Sequence, residues 1–296
     1  MSKGRANAVL ILVAMIWGSS FVAQKIGGGS MDTLGFVACR FFLGGLTVLP
    51  LCWRDLARLA ALPRADRLGL LATGTALFLG SVLQQYGVDT TSVTNAGFLT
   101  GLYVLLVPLL GWLVLGLRPP PVIWLSATAC LLGSWLLSGG GGLSFAAGDL
   151  WVMASALFWA CHVLLVGHMA RRTGLPVLVA CLQFMICAAW AGGGELLVAA
   201  HPFVGLTAGW PAVAYLGFFS VGVAFTLQSL AQRHAAPSHA AIILAGEGVF
   251  SAIGGALVLG EAPGWLQMAG GGAILAGMLL IQLAPGEASG EPRAAE

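Results

Sequence analysis

Glu247 is the residue whose chemistry is hardest to house in an ordinary protein. It stands well inside the apolar run 237–259. At a membrane midplane an ionised carboxylate costs roughly 2.5–3.5 kcal/mol on insertion scales, so it must face a bundle interior or a wet cavity. Two roles fit it: a proton-coupling or amine-binding group, or a protonated structural carboxyl bonded to a neighbouring helix. Tyr103 lies 144 residues earlier, also in an apolar run. The pair can face one cavity, or Tyr103 can be ordinary packing. Trp17 and Trp159 form a second mid-run pair, able to line a cavity for apolar or cationic solutes or simply to pack. His162 is one helical turn beyond Trp159, on the same face. It joins the site or serves as a hydrogen-bonded structural histidine. Arg40 is placed to bind a carboxylate, to pair with a buried acid, or to snorkel to the interface.

A second group of polar residues falls toward the ends of the apolar runs. Gln84, Gln85, Gln228 and Gln232 lie there, with Thr94 and Asn95 at one face and Ser238 and His239 at the other. The expectation is that Gln84 and Asn95, and their counterparts Gln228 and His239, line an outer and an inner gate. Helix capping competes, and is the preferred reading for Thr94 and Ser238.

These residues need an apolar scaffold to hold them. Of 296 residues, 58% are hydrophobic and 8% charged, and mean hydropathy is +0.93. Soluble domains carry roughly 25% charged residues, so lipid is the expected solvent for most of this chain. The net charge of +2 does not suggest nucleic acid. A hydrocarbon core about 30 Å thick needs roughly 20 apolar residues per helix. Ten such runs are legible: 6–26, 33–53, 67–88, 93–116, 120–138, 147–170, 176–199, 209–232, 237–259 and 263–284. The first resembles a secretory leader, but no clear cleavage site ends it, so it is expected to stay as a helix. The polar stretch 285–296 is expected to be a disordered tail. The 43 glycines suit close packing between membrane helices.

Basic residues orient the chain. With the N-terminus in the cytoplasm, eleven Lys and Arg fall on that side and Lys25 alone on the other, with Arg40 inside a run. Both termini are then expected in the cytoplasm of a bacterial-type inner membrane. Cys39, Cys52, Cys130, Cys161, Cys181 and Cys187 all lie in or beside apolar runs and form no CxxC. They read as packing residues rather than disulfide or metal ligands.

The halves repeat. An offset of 144 carries Leu83-Gln84 onto Leu227-Gln228, Thr94 onto Ser238, Val114-Leu115-Gly116 onto Val258-Leu259-Gly260, and Gly133 onto Gly277. Offsets of 142 and 143 carry Trp17 onto Trp159 and Phe41 onto Phe184. Five runs per half is an odd number, so the second half is expected to enter the membrane from the opposite face. The fold class expected is an all-α integral membrane protein of ten transmembrane helices in two inverted five-helix repeats, 1–142 and 143–284.

Motifs then add a resemblance. The run 14–21 (AMIWGSSF) is similar to the first-helix signature of the drug/metabolite transporter superfamily, EamA branch. The run 95–110 (NAGFLTGLYVLLVPLL) resembles that family's fourth helix, and Ala245-Gly246-Glu247-Gly248-Val249-Phe250 its ninth. The resemblance covers nearly the whole chain and implies export of amino acids, metabolites or drugs. The chain departs from the pattern at Gly248, where Pro is frequent, and at Leu117, where Glu is frequent.

Several classes are disfavoured. Lys3 and Lys25 follow no P-loop, there is no HExxH, and no nucleophile–base pairing or potassium-channel filter is present. No cofactor is expected. The expected partners are a small-molecule substrate, the bilayer and coupling protons, with the chain a monomer or homodimer. The rivals are an organic-cation or multidrug efflux protein, a channel, a membrane-bound lipid transferase or hydrolase, and a scaffold subunit without transport.

Overall fold

A computed structural model describes residues 1–91, 93–140, 147–259 and 263–283, apart from the side chains at 26, 28, 93–95, 254, 255, 258 and 259. Among the described residues every regular element is helical. The first half contains α1 (Lys3–Gly28), α2 (Thr33–Cys52), the short exposed α3 (Leu56–Leu59), α4 (Arg64–Thr90), α5 (Val93–Thr100), α6 (Tyr103–Leu115) and α7 (Pro121–Leu137). The second contains α8 (Ala147–Thr173), α9 (Pro176–Val198), α10 (Leu206–Tyr215), a π-helical stretch Leu216–Phe225, α11 (Thr226–Gln232), α12 (Pro237–Leu244), α13 (Glu247–Leu259) and α14 (Trp265–Leu283).

Eight helical segments are long and apolar enough to cross a membrane, and two further apolar segments, Pro121–Leu137 and Pro237–Ile253, are shorter. All ten expected runs are therefore helical. The α7 helix is short for a local cause. Pro119 and Pro120 delay its start, leaving Pro121 at its first turn, where a missing N–H costs nothing. The 17 residues that remain span about 26 Å at 1.5 Å each. The ninth run is helical from Pro237 to Leu259, with an interruption between α12 and α13. Prolines likewise open α9 and α12. The α6 helix ends at Gly116, which takes φ 68°, while the Leu117 N–H returns to the Gly111 carbonyl at 3.0 Å. Glycine carries that left-handed closure without a Cβ penalty. The tail 285–296 lies outside the described residues.

The surface suits lipid. Leu113, Val114, Leu197, Val198 and Leu257 are largely exposed, which water would penalise and acyl chains would not. Charges at the rim are tied: Asp66 at the start of α4 pairs with Arg172 at the end of α8.

Packing between the halves follows the repeat. The α7 and α14 helices lie against one another, as do α2 and α9. The α4 helix packs on α8, and its counterpart, the π-helical stretch with α11, packs on α1. At the α7–α14 contact a Cβ on Gly133 would stand 2.6 Å from the Gly270 carbonyl. The counterpart contact brings Gly277 to the Ser126 carbonyl, 2.7 Å from such an atom. Cys130 Sγ reaches the carbonyl of its own counterpart, Ile274, at 3.7 Å. If residue i touches j and the counterpart of i touches the counterpart of j, a two-fold operation relates the halves. Small residues make this approach possible, since lipid offers no hydrophobic drive between helices.

Two apolar clusters form the interior. One joins α1, α6, α7, α8 and α12 to α14; the other joins α2, α4, α9 and the end of the π-helical stretch. Trp17 and Trp159 border both clusters, so the seam between the clusters is where the candidate residues meet.

Candidate functional site

A partly open cavity of about 60 Å³ lies in that seam. Local breaks position its key groups. The fourth run is interrupted between α5 and α6, so that Tyr103 is the first residue of α6. The ninth run is interrupted between α12 and α13, so that Glu247 is the first residue of α13. Counterpart residues thus open counterpart half-helices. Tyr103 also lies within electrostatic reach of Glu247. The α1 helix comes against the second break at Gly18, where a Cβ would stand 2.6 Å from the Glu247 carbonyl and 2.8 Å from the Phe250 side chain. Trp17, the neighbour of this glycine, is carried to the cavity beside Glu247.

Eight of the ten residues singled out from sequence line this one cavity: Trp17, Arg40, Gln84, Tyr103, Trp159, His162, Gln228 and Glu247. Asn95 lies outside the described side chains. His239 is half-buried on α12 and does not line this cavity; its Nε2 has no partner among the described residues.

Two ionisable side chains of opposite sign face the cavity. Glu247 and Arg40 are both buried, and neither forms an ion pair among the described residues. The Arg40 guanidinium lies over the rings of Phe36 and Phe41, at 5.3 and 5.4 Å, a cation–π arrangement. It donates from Nη1 to Gln85 Oε1 at 3.4 Å, and its Nε has no partner. Gln85 in turn donates to Asp89 Oδ1 at 2.9 Å.

His162 Nε2 lies 2.7 Å from Gln183 Oε1, while Gln183 Nε2 reaches Ser229 Oγ at 3.5 Å and Ser229 Oγ donates to the Phe225 carbonyl at 3.0 Å. His162 Nδ1 is buried with no partner among the described residues. The Tyr103 hydroxyl, Trp159 Nε1 and both amide atoms of Gln228 are also buried without partners among the described residues. Gln84, the counterpart of Gln228, is satisfied instead by Thr100, to which it donates at 3.0 Å. Buried polar groups are normally paired, so a concentration of unpaired ones around one cavity is the mark of a place built to receive a polar solute.

Sequence reading missed Phe225. Its ring lies 4.6 Å from Trp17, 6.0 Å from Phe41, 6.0 Å from Trp159, 5.8 Å from His162 and 6.1 Å from Phe184. It ends the π-helical stretch, a feature frequent at functional sites. The signal that could have found it is its place one turn before Gln228, just as Ser81, which also lines the cavity, stands one turn before Gln84. Comparison of the repeats hid both, because Phe225 and Ser81 occupy the same repeat position with unlike side chains.

Known proteins agree with this architecture. The model of the EamA-like transporter family matches residues 4–139 and again 146–283. A protein of Archaeoglobus fulgidus described as an uncharacterized transporter is 32% identical over 286 residues, covering 94% of this chain and 86% of its own. A second uncharacterized transporter of that organism is 28% identical over 282 residues, covering 95% and 96%. A crystal structure described only as that of a protein superposes with a TM-score of 0.78 at 21% identity, covering 95% of this chain and 98% of its own; it bears on the fold alone. With the family pattern met twice along a multi-pass helical chain, once in each half, this protein belongs to the EamA-like transporter family.

Proposed function

We propose that this membrane transporter exports small organic solutes, chiefly amino acids or related metabolites, by alternating access around the central cavity. The observation that carries the reading is one cavity lined by Glu247 and Arg40, neither in an ion pair among the described residues, beside the rings of Trp17 and Trp159. A zwitterion answers both charges: its ammonium meets Glu247 and its carboxylate meets Arg40, while the rings hold its side group. The two-fold exchange of contacts between halves supports an inverted repeat, whose halves would rock to open each face in turn. Glu247 also serves as the site of proton coupling. Gln84 and Gln228 lie at the cavity, with Asn95 and His239 lining the two gates beyond them. The chain lies in a bacterial-type inner membrane with both termini in the cytoplasm.

Counterflow in proteoliposomes tests this. Vesicles loaded with an unlabelled amino acid should accumulate the labelled one transiently. Flux without trans-stimulation points to a channel, and no saturable flux of any amino acid overturns the reading. The Glu247 and aromatic lining also suits organic cations, the second reading; Arg40 in the same cavity opposes it, because a bare cation leaves the guanidinium unanswered. Stabilisation of the detergent-solubilised protein by organic cations but not by zwitterions would select that alternative.

A further inference from the structure

The two repeats contribute unequal walls to the cavity, and one of the differences is in bulk. Phe225 is buried, lines the cavity and touches five other rings. It lies nearly parallel to Trp159, at 16°, and tilted against Trp17, at 54°. It therefore bridges the two tryptophans that the repeat pairs with one another. Its repeat counterpart Ser81 also lines the cavity, but with a hydroxyl that is buried and has no partner among the described residues. The repeat thus places a large ring in one half and a small polar group in the other at equivalent positions. A ring held by five others has little room to move aside, because packed interiors resist displacement.

We infer that Phe225 sets the size of the solute's side group: it is the wall against which that group stacks. The inference rests on the amino-acid reading above and narrows it to zwitterions with small or medium apolar side groups. The largest aromatic side groups are excluded by Phe225 itself.

The test measures the Kd of alanine, leucine, phenylalanine and tryptophan for the purified, detergent-solubilised chain, by thermal shift and by competition. Phe225→Ala should raise the affinity of tryptophan relative to alanine about tenfold or more, the scale on which an apolar pocket discriminates by side-group volume. Ser81→Phe should act in the opposite sense on all bulky side groups. Phe225→Leu should shift the ratio in the same direction as Phe225→Ala, by less; it keeps an apolar wall and reports if the alanine variant fails to stay monodisperse. A role in packing alone would lower thermal stability without changing the ratio. Unchanged ratios in monodisperse Phe225→Leu and Ser81→Phe would overturn the inference and leave the transport reading standing. Failure of the wild-type chain to bind any of the four would overturn both.

Discussion

The last turns of α4 and α11 occupy the same position in the two repeats, and they are finished in the same way by different residues. At the end of α4, Lys25 Nζ donates to the carbonyls of Val88, Asp89 and Thr91 at 2.6, 3.2 and 3.1 Å. At the end of α11, Arg171 Nη1 donates to the carbonyls of Gln232 and Ala235 at 3.0 and 3.3 Å. Gln232 and Ala235 are the repeat counterparts of Val88 and Thr91. Each cation comes from the first helix of its own repeat, α1 or α8, although the two do not align: Arg171 stands one turn beyond the position equivalent to Lys25. What is kept is the demand of the backbone. The last carbonyls of a helix have no partner within it, and the helix dipole favours a cation there.

The surroundings of these two ends differ in charge. The α4 end carries Asp89, which accepts from Gln85 and from Thr33. Its counterpart at the α11 end is Arg233, next to Gln232, whose carbonyl Arg171 holds. Geometry is shared between the repeats, while charge is not. The same division runs through the cavity. Arg40 and Gln85 are bonded in the first repeat, and their counterparts Gln183 and Ser229 are bonded in the second without charge.

The sharpest break of this comparison is at Tyr103 and Glu247, equivalent in place and unlike in chemistry. Glu247→Gln should abolish the pH response of transport in proteoliposomes, whereas Tyr103→Phe should keep that response and slow transport only a few-fold. Equal pH profiles for wild type and Glu247→Gln would remove the carboxylate from coupling. Next in size, Arg40→Gln makes the first repeat resemble the second at this position. Binding of zwitterions should weaken about 10- to 100-fold, the loss of one charge-assisted hydrogen bond worth roughly 1.5–3 kcal/mol, while uncharged-carboxyl analogues such as amino-acid esters should lose little. Titration of the two series separates the cases. The helix-end cations come third. Lys25→Met and Arg171→Met should each lower thermal stability in detergent by about 1–2 kcal/mol, and a much larger loss from one than from the other would show that the two ends are not equivalent. Smallest is Asp66→Asn. Its partner Arg172 is half-exposed, so the change in stability should stay within about 1 kcal/mol.

Much of this molecule could be read without coordinates, and particular residues show where reading stopped. Trp17, Tyr103, Trp159 and Glu247 were found because each is odd for its depth and each has a partner at the repeat offset. Phe225 was not, because a phenylalanine in an apolar run is unremarkable and its counterpart is a serine. Lys25 was read as a loop charge on the sparsely charged face. That it folds back onto three carbonyls of α4 depends on where two helices end relative to one another. The interruptions of the fourth and ninth segments went unread for a similar reason: an apolar run does not reveal that it is broken, as the ninth is between α12 and α13.

By itself the sequence determined the all-helical, lipid-facing character of the chain, the number of apolar segments and their two-fold repetition. Those follow from local physics, since in hydrocarbon each helix must satisfy its own backbone hydrogen bonds and so announces itself in a continuous stretch of residues. Only the tertiary structure decided which face of each helix turns inward, where the fourth and ninth helices break, and that Phe225 and Ser81 both line the cavity. Between helices in lipid there is no hydrophobic force to fix rotation. It is set by the close approach of small residues such as Gly18, Gly133 and Gly277 and by the partners polar groups find, and both depend on segments distant in the chain.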